Sequence, residues 1–106
     1  MVAIRRFEDI QAWQRARELV RELYHVSSNV AEGFARKGDR EFARFLDVAR
    51  GSAVEVVSLL YVAMDAGWID KAQFDKLYHS ADEVIAMISG LSSYLRRPAN
   101  SSMPNA

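Results

Sequence analysis

Cysteine is absent from the 106-residue chain. That excludes a disulfide framework, a thiol nucleophile and thiolate metal sites. Proline (2) and glycine (5) are scarce, and helix formers fill the intervals between them. An all-α chain is therefore expected. No apolar run reaches the length of about 18 residues that a membrane-spanning helix needs. Arg5 and Arg6 near the N-terminus are not followed by the apolar stretch of a secretory signal. With no cysteine and no such signal, a cytoplasmic location and no membrane partner are expected. Charge of one sign is also lacking. Lys plus Arg (14) balances Asp plus Glu (14), so there is no bulk electrostatic pull toward nucleic acid or membranes. Residues 1–53 carry about +2 and residues 54–106 about −2, with no run of five like charges, so neither half reads as a polyionic tail.

What is present is helical periodicity. From about Glu8 to Arg36, Trp13, Ala16, Val20, Leu23, Ser27, Val30 and Phe34 repeat at three-four spacing, the seam of an amphipathic helix. From about Arg40 to Ala66, one seam holds Phe42, Phe45, Ala49, Ser52, Val56, Leu59 and Ala63. A second stripe adds Leu46, Ala53, Val57, Leu60, Tyr61 and Met64. A helix apolar on two sides belongs in the centre of a bundle or at a subunit contact. Small residues at Ala49, Gly51, Ser52 and Ala53 would admit a close neighbour. From about Lys71 to Arg97, Phe74, Leu77, Ala81, Val84, Ile88, Leu91 and Leu95 form a third seam. Asp70 and Gln73 have the spacing of a capping box, and Gly67 suits the end of the preceding helix. Rods of this length, about 40 Å each, pack side by side as an antiparallel bundle. The expected domain is 1–97, and the tail 98–106 (Pro, Asn, Ser, Ala and one Met) has nothing to bury and should be disordered. Trp13, Val20, Leu23, Phe42, Phe45, Val56, Leu59, Phe74, Leu77, Val84, Ile88 and Leu91 are the expected core.

Chemistry is thinly represented. Glu22 and His25 form one Glu-x-x-His pair, where a di-iron bundle uses two with two further inward carboxylates. They also lie off the Val20–Leu23–Ser27 seam. His79 has Asp75 one turn before it, a common surface arrangement. No serine sits in a nucleophile elbow, and no glycine loop is built for phosphate. No enzymatic activity, metal or cofactor is expected. Arg36, Lys37, Arg40 and Arg44 are the densest basic stretch and the candidate contacts for RNA or single-stranded DNA. The competing reading is an ordinary exposed face neutralised by Asp39, Glu41 and Asp47, with Gly38 breaking the stripe. Glu55 stands among Val54, Val56 and Val57. It either finds an arginine on a neighbouring helix or subunit, or marks with Ser58 the one wet strip of its helix. The doubly apolar helix points to self-association, with Val54, Val57, Tyr61 and Met64 as the candidate subunit contact.

Ser28-Asn29-Val30-Ala31-Glu32-Gly33-Phe34, followed by Glu41-Phe42-Ala43-Arg44-Phe45-Leu46 and Ala49-Arg50-Gly51-Ser52, resembles the four helix bundle protein family. Its members include proteins encoded within intervening sequences of bacterial 23S ribosomal RNA genes. Phe7-Glu8-Asp9-Ile10, Trp13 and Ala16 fit its first helix, and Gly67-Trp68-Ile69 fits its last turn. The resemblance spans roughly residues 7–96, with Asn29, Glu32, Gly33, Arg50, Gly51, Ser52 and Glu55 as motif positions. It implies a four-helix bundle with no established catalytic activity. It also implies similarity in fold to the accessory proteins of diversity-generating retroelements, which are pentamers that bind nucleic acid and a reverse transcriptase. A homo-oligomeric ring, five copies being the expected count, follows from that likeness. One departure stands out: family members carry some twenty further residues before the Ser-Asn motif, including a hairpin loop and a basic helix start. Here Tyr24-His25-Val26-Ser27 runs straight into Ser28-Asn29. Either an internal stretch is missing and four helices return, or the first helix continues through Ser28 and a three-helix subunit results.

Overall fold

The computed structural model describes residues 3–98. A 3-10 turn at Phe7–Asp9 leads into three helices: α1 (Gln11–Ala35), α2 (Asp39–Asp65) and α3 (Lys71–Leu95). There is no strand among the described residues. The tail expected to be disordered lies, beyond Pro98, outside them.

Ser28 sits inside the unbroken α1, so this chain forms a three-helix subunit. Its seam runs on through the buried Val26 and the half-buried Val30. Gly38 starts α2 with φ +104°, a left-handed conformation that favours glycine. At the far end of α2, the Trp68 N–H donates to Ala63 (2.9 Å) and the Gly67 N–H to Met64 (3.0 Å). These are the two bonds of a Schellman ending, with Gly67 at φ +79°. The capping box of α3 is complete: Asp70 Oδ1 accepts from the Gln73 N–H (2.8 Å), and Gln73 Oε1 accepts from the Asp70 N–H (2.9 Å).

Helix α2 is central. α1 and α3 pack along its two sides and make no close backbone approach to each other. The result is a single layer only 16 Å thick in its shortest dimension. Its core is built mainly on α2, from Ala43, Leu46, Ala49, Ala53, Val56 and Leu60, with Val26 from α1 and Phe74 and Ile88 from α3. Of the expected core, Val56, Phe74 and Ile88 are buried, and Trp13, Phe42, Phe45 and Leu59 are half-buried. Val20, Leu23, Leu77, Val84 and Leu91 are instead exposed. The seams of α1 and α3 are real, but their centres point past α2 rather than at it. Leu46 and Leu60, from the second stripe, take the most buried positions because two neighbouring helices flank that side.

Candidate functional site

Two places gather the residues that could carry function: an apolar groove along the layer and the basic turn between α1 and α2.

The groove has Ala53, Val56 and Leu60 of α2 as its floor, Leu23 of α1 as one wall and Leu77 and Val84 of α3 as the other. It encloses about 230 Å³. Among the described residues, Ser27 and Ser80 are its only polar side chains and no ionisable residue lines it. Leu23 is 50% exposed and Leu77 44%. The apolar character follows the sequence seams, and the openness follows from α1 and α3 standing apart.

Val54, Val57, Tyr61 and Met64, the candidate subunit contact, lie elsewhere. Tyr61 packs its ring on Phe74 (centroids 4.8 Å) and edge-on to Tyr78 (6.5 Å). Met64 packs against the core formed by Val56, Leu60 and Phe74. Val57 is half-buried, and Val54 remains exposed. Met64 and part of Val57 are thus engaged within the chain, whereas Tyr61 (45%) and Val54 (47%) stay about as exposed as the groove walls.

At the α1–α2 turn, Arg36 and Lys37 stand in the connection, and Arg40 and Arg44 follow in the first turns of α2. The turn breaks the even four-residue stripe. It nevertheless gathers positive charge around Phe45: the Arg36 guanidinium lies 5.1 Å from that ring and the Arg44 guanidinium 6.0 Å. Arg36 also pairs with Glu32 (3.0 Å) and Arg44 with Glu41 (3.5 Å). Lys37 and Arg40 have no ion-pair partner among the described residues. Phe34, 77% exposed, meets the Phe42 ring edge-on at 6.0 Å. Cations and an exposed aromatic ring therefore share one end of the layer.

The motif positions divide between packing and surface. Gly33 is buried, and a Cβ there would come within 2.6 Å of Phe45 Cβ. A close neighbouring helix is thus met at Gly33, whereas Gly51 faces open space. Asn29 donates to the His25 carbonyl (2.7 Å), and Glu32 holds Arg36. Arg50 Nε donates to Ser89 Oγ (3.0 Å), linking α2 to α3. Ser52 is half-buried, and Glu55 is exposed on the side of α2 away from the groove. Glu55 therefore belongs to the wet strip. His25 is exposed and Glu22 half-buried. His79 pairs with Glu83 (2.8 Å), while Asp75 pairs with Lys71 (2.9 Å). Among the described residues no cluster of three or more His, Asp or Glu is arranged to hold a metal.

One network had no signal in the sequence. Arg96 of the α3 end donates from both Nη atoms to Asp47 of α2, and Ser92 Oγ donates to Asp47 Oδ1 (3.1 Å). Arg96 also donates to Ser92 Oγ. Partners 45 and 49 positions apart leave no local pattern to read. The Arg96 hydrogen bonds, foremost, hold the Asp47 carboxyl below its ordinary value against desolvation, with the Ser92 hydrogen bond and the charges of Arg96 and Arg50 lowering it further. A carboxyl with a depressed folded-state pKa contributes stability above its ordinary pKa and loses it as pH falls through the folded value. Arg96→Gln should therefore raise the Asp47 pKa, read by carboxyl NMR titration. The stability gap between Arg96→Gln and the original chain should narrow as pH falls below about 4. An unmoved Asp47 titration would show that the pair does not persist in solution.

Among the described residues no helix is long and apolar enough to cross a membrane. The model of the 23S rRNA-intervening sequence proteins matches residues 25–90, more than half of the chain. The chain belongs to this family. The match begins at His25, inside α1. It takes in the basic turn, all of α2 and most of α3. No curated protein matches the chain, and no solved structure does.

Proposed function

We propose that this chain is a non-enzymatic, self-associating helical protein that serves in the cytoplasm as a scaffold or accessory factor. The observation that carries the reading is the charge-free groove, whose walls are half exposed in a single copy. Apolar surface of that kind marks a contact site. A net charge of zero offers little repulsion between copies. Five copies is the count that the family likeness implies, and the same experiment reads it. Light scattering on the purified chain should give a mass above that of one copy at tens of micromolar. A single-copy mass throughout that range would overturn the proposal.

A second reading, a nucleic-acid-binding accessory protein, draws support from the cations beside Phe34 and Phe45. Cationic side chains bind the phosphates, and an exposed ring stacks a base. RNA added to the scattering sample should then shift the mass. Lys37→Glu with Arg40→Glu, which disturbs no ion pair among the described residues, should weaken binding and flatten its salt dependence. No binding even at low salt would remove this reading.

A further inference from the structure

We propose that Met87 is a peroxide-sensitive modification site whose sulfoxide opens the contact between copies. The proposal rests on the self-association reading and adds a regulation to it.

Sulfur is sparse in this chain. There is no cysteine, and the methionines are Met1, Met64, Met87 and Met103. Oxidant chemistry on sulfur therefore falls on thioethers. Met64 and Met87 lie among the described residues, and their surroundings differ. Met64 packs against the cluster of Val56, Leu60 and Phe74. Met87, on α3, is 73% exposed. Oxidation follows access to the sulfur, and peroxide is small and neutral, so no charged pocket is needed to admit it. In the reaction, hydrogen peroxide gives one oxygen to the Met87 Sδ. An S–O bond forms from a sulfur lone pair as the O–O bond breaks. The sulfur is oxidised and the peroxide reduced, and the departing hydroxide collects the remaining proton and leaves as water.

The position of Met87 gives that change a consequence. Ser80, Val84, Met87 and Leu91 recur at one-turn intervals on α3 and so share a face. Ser80 and Val84 line the groove, and Val84 and Leu91 are themselves partly exposed. Met87 is thus continuous with the apolar surface that carries the self-association reading. A sulfoxide is polar and accepts hydrogen bonds. The residues one turn from Met87 are Glu83, Val84, Gly90 and Leu91. None of these side chains has a hydrogen to donate, and Glu83 is held by His79 (2.8 Å). In a single copy, water satisfies the new oxygen. In a dry contact between apolar faces these neighbours cannot, and an unsatisfied buried acceptor disfavours the closed state. The modification therefore discriminates between the two states, which is the condition for a switch. It leaves the fold intact, because an exposed side chain contributes little to the core.

The test uses the full chain and hydrogen peroxide, read by peptide mass spectrometry and light scattering. Sulfoxide should form at Met87 about fivefold or more faster than at Met64. At a concentration where the untreated chain gives a multi-copy mass, the treated chain should fall toward the single-copy mass with its helical circular dichroism retained. A pair of methionine sulfoxide reductases with a dithiol, one enzyme for each epimer, should restore the larger mass. Met87→Leu should associate as the original chain does and keep its mass under peroxide, which separates Met87 from Met1 and Met103. Equal rates at Met64 and Met87 would overturn the site. Preferential oxidation of Met87 with an unchanged multi-copy mass would overturn the switch and leave self-association standing. Mass lost equally by Met87→Leu under peroxide would overturn the assignment to Met87. A single-copy mass before any peroxide is added would overturn self-association and the switch with it.

Discussion

Leu46→Ala is expected to cost about 3–5 kcal/mol, the upper part of the range for a buried leucine truncated in a core. Leu46 is fully buried, and Val26, Ala49, Ala53 and Ile88 share its cluster. Alanines at two of those positions cannot swing into a void, so most of the cavity would stay open. In a domain whose total stability is about 5–15 kcal/mol, that is a large share. Val48→Ala, on the exposed side of the same helix, should change stability by no more than about 0.5 kcal/mol. Urea unfolding of both variants, followed by circular dichroism, makes the comparison. Equal effects at the two sites would mean that the buried face of α2 is not the one described.

Gly33→Ala sets two effects of opposite sign against each other. Alanine is the better residue in a helix interior by about 1 kcal/mol. Its methyl group, however, would stand 2.6 Å from Phe45 Cβ and 2.9 Å from Phe42 Cδ1. The phenylalanine ring can rotate away, but a Cβ moves only with its backbone. α1 and α2 would therefore have to separate at this contact, near the turn that fixes their ends. Overpacking of this kind costs about 1–3 kcal/mol, so net destabilisation is expected, read as a lower thermal midpoint. Because Arg36 and Arg44 rest on Phe45, the same variant should disturb the arrangement of the basic turn. A raised midpoint would show that the helices give way freely there.

The expected and observed helices agree closely because the signals for them are local. The three seams begin and end within a few residues of α1, α2 and α3. Asp70 with Gln73, and Gly67 with its two N–H bonds, were legible because capping partners lie within one turn of each other. The resemblance carried in the Ser28–Phe34 and Ala49–Ser52 stretches was legible for a related reason, since it is a property of contiguous residues. The basic stretch was legible as a cluster but not as a shape. Only the turn at Gly38 decided that Arg36 would join Arg44 beside the Phe45 ring.

By itself the sequence determined the secondary structure, its boundaries and the apolar face of each helix, because each depends on groups within four residues along the chain. The tertiary structure decided where those faces point. Periodicity orients a side chain about its own helix axis and carries no information on the bearing of the neighbouring helix. So Leu23, Leu77 and Val84, central in their seams, stand half open, while Leu46 and Leu60 from the minor stripe fill the core. The same is true of Asp47 with Arg96 and of Gly33 with Phe45. Each pair meets because α2 has a helix packed along each of its two sides, an arrangement set by packing across the layer and by no residue's local preference.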